Sequence, residues 1–200
     1  MIHRNISAVP GFILVSVPTR LLFALLPALL GGSLAAAVVP ELSLEELTRQ
    51  SQVIVHGRVL RSWSEWDAKR QNIWTHHEIE VLDPLSGSVQ KTVVASEPGG
   101  TVDGLTMRIS SEVAYAQGEE MVLFLYRTPI GYLRATGYAQ GKYTIRGARI
   151  RSNSGSVELA IPTGRTRNGT SLRGLDGVDL GAFKLRVRSV LQSQRESAAK

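Results

Sequence analysis

Residues 72–82 alternate between apolar and polar side chains, and this period of two constrains the fold more than any other feature of the chain. One face carries Ile73, Thr75, His77, Ile79 and Val81, and the other carries Trp74, His76, Glu78 and Glu80. Successive side chains of a strand point to opposite faces of its sheet. The pattern therefore predicts an antiparallel strand with one face in the core.

Further short apolar runs follow at the spacing of an all-β domain. They predict strands at Gln52–Leu60, Lys91–Ala95, Leu105–Ile109, Glu120–Tyr126, Tyr132–Thr136, Lys142–Arg146 and Ser156–Ile161. Glycine and proline separate the runs, and Gly57 inside the first run is typical of a bulge or a sharp bend. Many short strands at this spacing favour a mainly β fold over residues 38–161, either a small antiparallel β-barrel or a sandwich.

Two helices are predicted beside the strands. Ser43 and Glu46 have the spacing of a capping box, which predicts a short N-terminal helix that ends near Gln50. An amphipathic C-terminal helix is predicted over residues 179–194, capped by Asp179. We expect residues 162–178 to form a Gly/Arg-rich linker and residues 195–200 a frayed tail.

The first 37 residues predict the destination of the protein. Arg20 precedes an apolar run from Leu21 to Leu30, and small residues follow through Ala37. This order is typical of a secretory signal peptide, and the run is short for a membrane span. We therefore expect a secreted or periplasmic protein that begins near Val38 and meets the membrane only through this segment. The alternative is an uncleaved N-terminal anchor.

The absence of cysteine excludes thiol catalysis, thiolate metal sites and disulfides. The sequence also lacks a nucleophile elbow and a complete phosphate-binding loop. His76 and Glu78 share a strand face and could bind a metal together with His56, but their spacing matches no zinc signature. We predict no catalytic residue, metal or cofactor, and a metal-assisted hydrolase is kept as an alternative.

Two of the three tryptophans lie in the segment Trp63–Asp67, which is predicted to be a loop between two strands. Aromatic anchors concentrate binding energy, so Trp63 and Trp66 are candidates for contact with a sugar ring or a partner protein. The alternative is that both rings fold back and cover the open end of a barrel.

Charge is divided unevenly along the chain. Residues 38–120 hold 7 basic and 13 acidic side chains, whereas residues 121–200 hold 14 and 4. Arginine binds carboxylate and phosphate groups through paired hydrogen bonds, so Arg146, Arg149 and Arg151 form a second candidate contact surface, for an envelope polysaccharide or polyanion. A solvated surface without a ligand explains the same residues. Nucleic acid is not expected, because aromatic residues are not interleaved with these arginines.

The order of motifs over residues 42–146 resembles that of uncharacterised secreted bacterial proteins with a small β-barrel of the oligonucleotide/oligosaccharide-binding (OB) type. The motifs are Leu42–Leu47, Val53–Val59, Trp66-Asp67, Pro98–Gly100, Gly118–Leu125 and Gln140–Tyr143. The resemblance implies a small antiparallel OB-like β-barrel and brings no active site with it.

This barrel type is also similar to that of tissue inhibitors of metalloproteinases. Those inhibitors act through an N-terminal cysteine, which this chain lacks, so protease inhibition is only an alternative. Taken together, the sequence predicts an exported, non-catalytic binding or interaction module of the cell envelope or secreted fraction.

Overall fold

The computed structural model describes residues 39–87, 90–109, 113–153, 159–160 and 169–199, the pair 159–160 by its backbone alone. The predicted signal peptide lies outside these residues, as do most of the predicted strand Ser156–Ile161 and the first part of the predicted linker. The described part of the chain is mainly β, with two α-helices, one of them C-terminal. It contains no helix that is both long enough and apolar enough to cross a bilayer.

The described strands and helices are as follows. The strands are β1 (Val39–Pro40), β2 (Val53–Trp66), β3 (Ile73–Ser86), β4 (Thr92–Pro98), β5 (Gly100–Val102), β6 (Leu105–Met107), β7 (Glu120–Arg127), β8 (Leu133–Ala135), β9 (Lys142–Arg146), β10 (Arg149–Ser152) and β11 (Leu159–Ala160). The helices are α1 (Leu44–Gln50) and α2 (Leu180–Ala198).

Most of these strands pair in one large sheet with the order β10-β9-β7-β2-β3-β4-β8. All neighbours are antiparallel except β4 and β8, which pair in parallel. β8 also pairs with β7, so β7, β2, β3, β4 and β8 form a closed ring of paired strands. The β5–β6 hairpin and the β1–β11 pair form two small separate sheets.

The core has two layers because β2 and β7 bury residues on both of their faces. All five ring strands contribute to an enclosed cluster, made of Val53, Val55, Val59, Ile79, Val93, Ala95, Met121, Leu123, Leu125 and Leu133. The other face of β2 and β7 packs under the helices. That outer cluster includes Leu44, Leu47, Ile54, Phe124, Tyr143, Phe183 and Val187.

Local signals explain both helices. The Ser43 hydroxyl accepts from the Glu46 amide and the Glu46 carboxylate accepts from the Ser43 amide, so the predicted capping box is confirmed. The side chain of Asp179 accepts from the Ala182 amide at the start of α2. α2 continues to Ala198, four residues beyond the predicted end at residue 194.

The structure also differs from the sequence prediction elsewhere, and two of these segments contribute to the outer cluster. β10 is not predicted from sequence, although it pairs with β9 along its whole length. The described end of the predicted linker contains a short 3-10 helix at Leu172–Leu175, and both of these leucines are buried in the outer cluster. The burial of Leu172 and Leu175 therefore holds this otherwise polar segment against the rest of the domain.

Candidate functional site

The segment that carries Trp63 and Trp66 is the end of β2, and the prediction of a loop there is wrong. β2 pairs with β3 without interruption from Arg61, opposite Glu78, to Trp66, opposite Ile73. Three register shifts lie upstream, at Ile54/Val55, His56/Gly57 and Val59/Arg61. The first two shifts place the extra residue on β3. Only the third places it on β2, at Leu60, and it exchanges the faces of the β2 side chains that follow, so the alternation along β2 is broken there.

The two tryptophans lie on opposite faces of the sheet. Trp63 is opposite His76 and Trp66 is opposite Ile73, whose side chains point to different faces of β3. The guanidinium carbon of Arg70 lies 5.8 Å from the centre of the Trp66 ring. The structure therefore does not bring Trp63 and Trp66 into one contact surface.

Trp63 instead belongs to a group of rings that come from separate parts of the chain. We call Trp63, Trp74, His76 and Tyr132 the aromatic face. The centre of the His76 ring lies 5.3 Å from those of both Trp63 and Tyr132, and Tyr132 lies 4.9 Å from Trp74. Trp63, Trp74 and Tyr132 are half-buried, whereas His76 is buried beneath them. Three partly exposed rings thus share one side of the sheet.

Different elements position these rings. Trp63 comes from β2, and Trp74 and His76 come from β3. Tyr132 ends the loop that joins β7 to β8. This loop is tied at its base, since Thr128 donates its amide to the carbonyl of Tyr132 and the Thr128 hydroxyl accepts from the Tyr132 amide at 3.0 Å. The Arg127 guanidinium also donates to the carbonyl of Gly131.

His76 is neutral at neutral pH. Its Nδ1 lies 2.8 Å from the Ser96 hydroxyl, and its Nε2 lies 3.2 Å from a carboxylate oxygen of Glu65 without hydrogen-bond geometry. Burial lowers the pKa of His76 below its usual 6.5, and the nearby charge of Glu65 only partly opposes this. The histidine therefore supports the rings above it without carrying a charge.

Arg134 borders the aromatic face and is held by a buried carboxylate. Its guanidinium donates to Glu97 at 3.1 Å and 3.2 Å, and its carbon lies 5.9 Å from the centre of the Trp74 ring. Glu97 also accepts the amide of Ala135 at 2.9 Å. Only one residue pair joins β4 to β8, so Glu97 provides the next link between these strands.

Tyr138 stands at the border of the same surface in a strained conformation. Its φ of 58° is left-handed, a conformation that costs a non-glycine residue about 1–3 kcal/mol. The residue is exposed, and the Arg134 guanidinium carbon lies 6.0 Å from its ring centre. Tyr138 also lines a groove of about 230 Å³ together with Tyr126, Thr136 and Gln50. Such strain at an exposed aromatic residue is typical of a functional surface.

Arg146, Arg149 and Arg151 are all exposed on the β9–β10 hairpin, where Arg146 is opposite Arg149. Two of them contact the segment before α2. Arg149 donates to the carbonyl of Gly177 at 2.8 Å, and Arg151 pairs with Asp176 at 3.1 Å. These guanidinium groups therefore fasten the hairpin to its neighbour, far along the sheet order from the aromatic face.

The residues considered for metal binding have other partners. His56 Nε2 lies 2.7 Å from a carboxylate oxygen of Glu120, and Glu78 accepts from Arg61 at 2.5 Å. Among the described residues, no three His, Asp or Glu side chains form a group that could hold a metal ion. The geometry therefore gives no support to a metal-assisted hydrolase.

A second polar cluster lies at the end of the ring, on its enclosed face. His77 stacks on Tyr115 with ring centres 4.1 Å apart, and its Nδ1 lies 2.7 Å from the Ser62 hydroxyl. Lys142 pairs with Glu119 at 2.7 Å and donates to the carbonyl of Ala114. Burial raises the pKa of the Tyr115 hydroxyl well above 10. The Lys142 ammonium and His77 Nδ1 have partners within this cluster, whereas the buried Tyr115 hydroxyl has no hydrogen-bond partner among the described residues.

Sequence reasoning found Trp63 but missed Trp74, Tyr132 and Arg134 as its neighbours. One signal was available, because Trp74 stands on the polar face of the alternating segment, where a large aromatic side chain is unusual. No local signal could have placed Tyr132 or Arg134, since only the pairing of β4 and β7 with β8 brings them there.

No family model matches the chain, and no curated protein matches it significantly. The function must therefore be inferred from the residues of the aromatic face.

Proposed function

We propose that this protein is an exported, non-catalytic binding module on an OB-type β-barrel, and that its aromatic face binds an oligosaccharide of the cell envelope. The observation that carries the proposal is the presence of three half-exposed rings, Trp63, Trp74 and Tyr132, on one side of the sheet. Side chains of this kind provide a flat apolar contact with few conformations to lose on binding.

The order of the ring strands supports the OB assignment. β2, β3 and β4 follow one another as an antiparallel meander, β7 pairs with β2, and β8 lies between β7 and β4 with a parallel pairing to β4. In barrels of the OB type, ligands bind on the face of the second and third strands and at the adjoining loops. Here those strands are β3 and β4, and the adjoining loops lie at residues 67–72 and 128–132.

The charges around the aromatic face favour a ligand with little net charge. Arg61 is paired with Glu78, and Arg134 is paired with Glu97. Glu65 adds a further carboxylate beside His76. A polyanion would need an excess of cations at its binding face, whereas an oligosaccharide needs ring stacking and hydrogen-bonding groups at the rim. The paired side chains supply such groups.

The experiment measures binding of the purified protein to an array of neutral and anionic bacterial oligosaccharides, followed by calorimetry with the best ligand. We expect a neutral oligosaccharide to bind with an affinity that changes little between about 0.05 M and about 0.5 M salt. Trp74→Ala and Tyr132→Ala should each weaken binding about tenfold or more, since truncating an aromatic anchor costs about 2 kcal/mol.

Leu185→Ala is the matched control. Leu185 is a large apolar side chain of α2 with 66% exposure, so its truncation should leave the affinity unchanged. If Trp74→Ala and Tyr132→Ala bind as tightly as the wild type, the aromatic face is not the site. Binding restricted to anionic glycans, lost at high salt and on Arg149→Ala and Arg151→Ala, would instead support the polyanion alternative.

A further inference from the structure

Among the described residues, the last part of β2, from Arg61 to Trp66, has no partner strand on the side away from β3 and is an edge of the large sheet. β7 pairs with β2 only over Val53–Arg58. The pair Asp67–Asn72 follows the last β2–β3 pair, Trp66–Ile73. In it the Asp67 amide donates to the carbonyl of Asn72, so Asp67 directs its backbone N–H toward β3. Backbone groups alternate along an antiparallel strand, so Ser62, Ser64 and Trp66 direct their N–H and C=O groups away from β3. Within the described ranges, no hydrogen bond is made to these outward backbone groups.

This edge is only partly protected. Natural edges are blunted by charged side chains, proline, bulges or a covering element; Arg61–Trp66 follows the register shift at Val59/Arg61, but it contains no lysine or proline, and its two charges, Arg61 and Glu65, have opposite signs. The β5–β6 hairpin approaches the side chain of Ser64 through Gly100, on the face opposite Trp63. It packs against the Ser64 side chain, on the face of the strand, and no described residue pairs with the edge.

The residues of this edge are complementary to themselves. Trp63 is flanked by Ser62 and Ser64, and these serines are flanked by side chains of opposite charge, Arg61 before and Glu65 after. Antiparallel pairing about Trp63 places Arg61 opposite the partner's Glu65 and Ser62 opposite the partner's Ser64, pairs that stabilise a sheet. The side chains of Arg61 and Glu65 are 67% and 58% exposed, so both can reach across the edge.

We propose that two copies of this chain pair antiparallel through this edge of β2, with the two-fold axis at Trp63. In this register Ser62 and the partner's Ser64 exchange both backbone hydrogen bonds, because their groups are the ones that point outward. Trp63 then occupies a pair without backbone hydrogen bonds, where opposing side chains lie closest. A register shifted by two residues in either direction places one of the two charges opposite a tryptophan instead.

The geometry of such a dimer has a consequence for the aromatic face. A two-fold axis that relates antiparallel edge strands runs perpendicular to the sheet, so the same face of each copy points to the same side. The rings of both copies then form one continuous surface. The dimer itself does not depend on the oligosaccharide proposal, because it rests on the edge of β2 alone.

Single-cysteine cross-linking tests the register directly, because the chain has no cysteine of its own. In a pair without backbone hydrogen bonds the Cα atoms are about 4.5 Å apart, within the range that a disulfide can span. Under mild oxidation Trp63→Cys should therefore form a covalent dimer rapidly. Leu185→Cys, exposed on α2, is the control and should react at the slow rate of random collision.

Charge exchange tests the same contact without removing an aromatic residue, with sedimentation of the purified protein as the readout. Arg61→Glu alone should weaken dimerisation roughly tenfold through two like-charge contacts, and the double variant Arg61→Glu/Glu65→Arg should restore it. Thermal unfolding verifies that each variant is folded. A wild type that is monomeric at all concentrations, or Trp63→Cys that cross-links no faster than Leu185→Cys, would overturn the proposal.

Discussion

Mild acid should destabilise this protein through His77, well above the pH at which carboxylates take up protons. His77 is buried on the enclosed face of the ring, between Tyr115 and the Ser62 hydroxyl. Burial, together with the charge of Lys142 and that of His76 once His76 is protonated, lowers the pKa of His77 from 6.5 to about 4. The folded protein therefore keeps this imidazole neutral over a pH range in which the unfolded chain is protonated.

The sign and the size of the effect follow from this difference. Between pH 6.5 and about 4 the unfolded state binds more protons at His77 than the folded state does, so the free energy of unfolding falls as the pH falls. Each pH unit is equivalent to about 1.4 kcal/mol. Acidification from pH 7 to pH 5 should therefore lower the free energy of unfolding by about 2 kcal/mol because of His77. For a domain of this size, such a loss lowers Tm by roughly 4–8 °C.

Urea unfolding followed by tryptophan fluorescence at pH 7, 6 and 5 measures this loss. His77→Gln removes the titrating ring, so we expect the loss between pH 7 and pH 5 to shrink by about 2 kcal/mol. His76→Gln is the matched control. The pKa of His76 is lowered less than that of His77, so this variant should reduce the loss of stability between pH 7 and pH 5 by a smaller amount. If His77→Gln loses as much stability as the wild type over this range, the assignment to His77 is wrong.

Three further predictions concern the fold. Glu97→Gln should lower the free energy of unfolding by about 3 kcal/mol, because Arg134 loses its buried anion; a loss below about 1 kcal/mol in urea unfolding would contradict the role of this pair. Burial raises the pKa of Asp83, but Lys184 and Arg188 outweigh it and hold the pKa below 3.8, so this contact stabilises the protein above that pH and is lost on further acidification. Helical circular dichroism should show α2 loosening there, and Asp83→Asn should show the loosening already at neutral pH. Phe183→Ala should lower the free energy of unfolding by about 3–5 kcal/mol, since the Phe183 ring is fully buried beside Tyr143. Leu185→Ala should change the free energy of unfolding by no more than about 0.5 kcal/mol, and equal losses in the two variants would show that α2 does not pack through Phe183.

The parts of the fold that sequence could predict are those with local signals. The alternation in β3 needs only the period of a strand, and the capping box at Ser43 needs only four consecutive residues. Both are confirmed. β2 was predicted too short, because the register shift at Val59/Arg61 interrupts the alternation that would have marked the rest of the strand.

The aromatic face could be predicted only in part, because it depends on contacts between distant segments. Trp63 was identified from its residue type, but its grouping with Trp66 assumed a loop, and a strand places the two rings on opposite faces. Tyr132 joins the face through the pairing of β8 with both β7 and β4. Such pairing leaves no signature in the residues next to Tyr132.

The contacts of α1 have a consequence for the time order of folding. Glu45 accepts from the amide of Thr170, 125 residues later, and its carbonyl accepts from Gln194, 149 residues later. The first described helix thus lacks these partners until nearly the whole chain has been synthesised. Folds dominated by such distant contacts form slowly, and a chain that stays unfolded longer remains thin enough to pass through a membrane pore. Slow closure of this kind would suit the export that we propose for the protein.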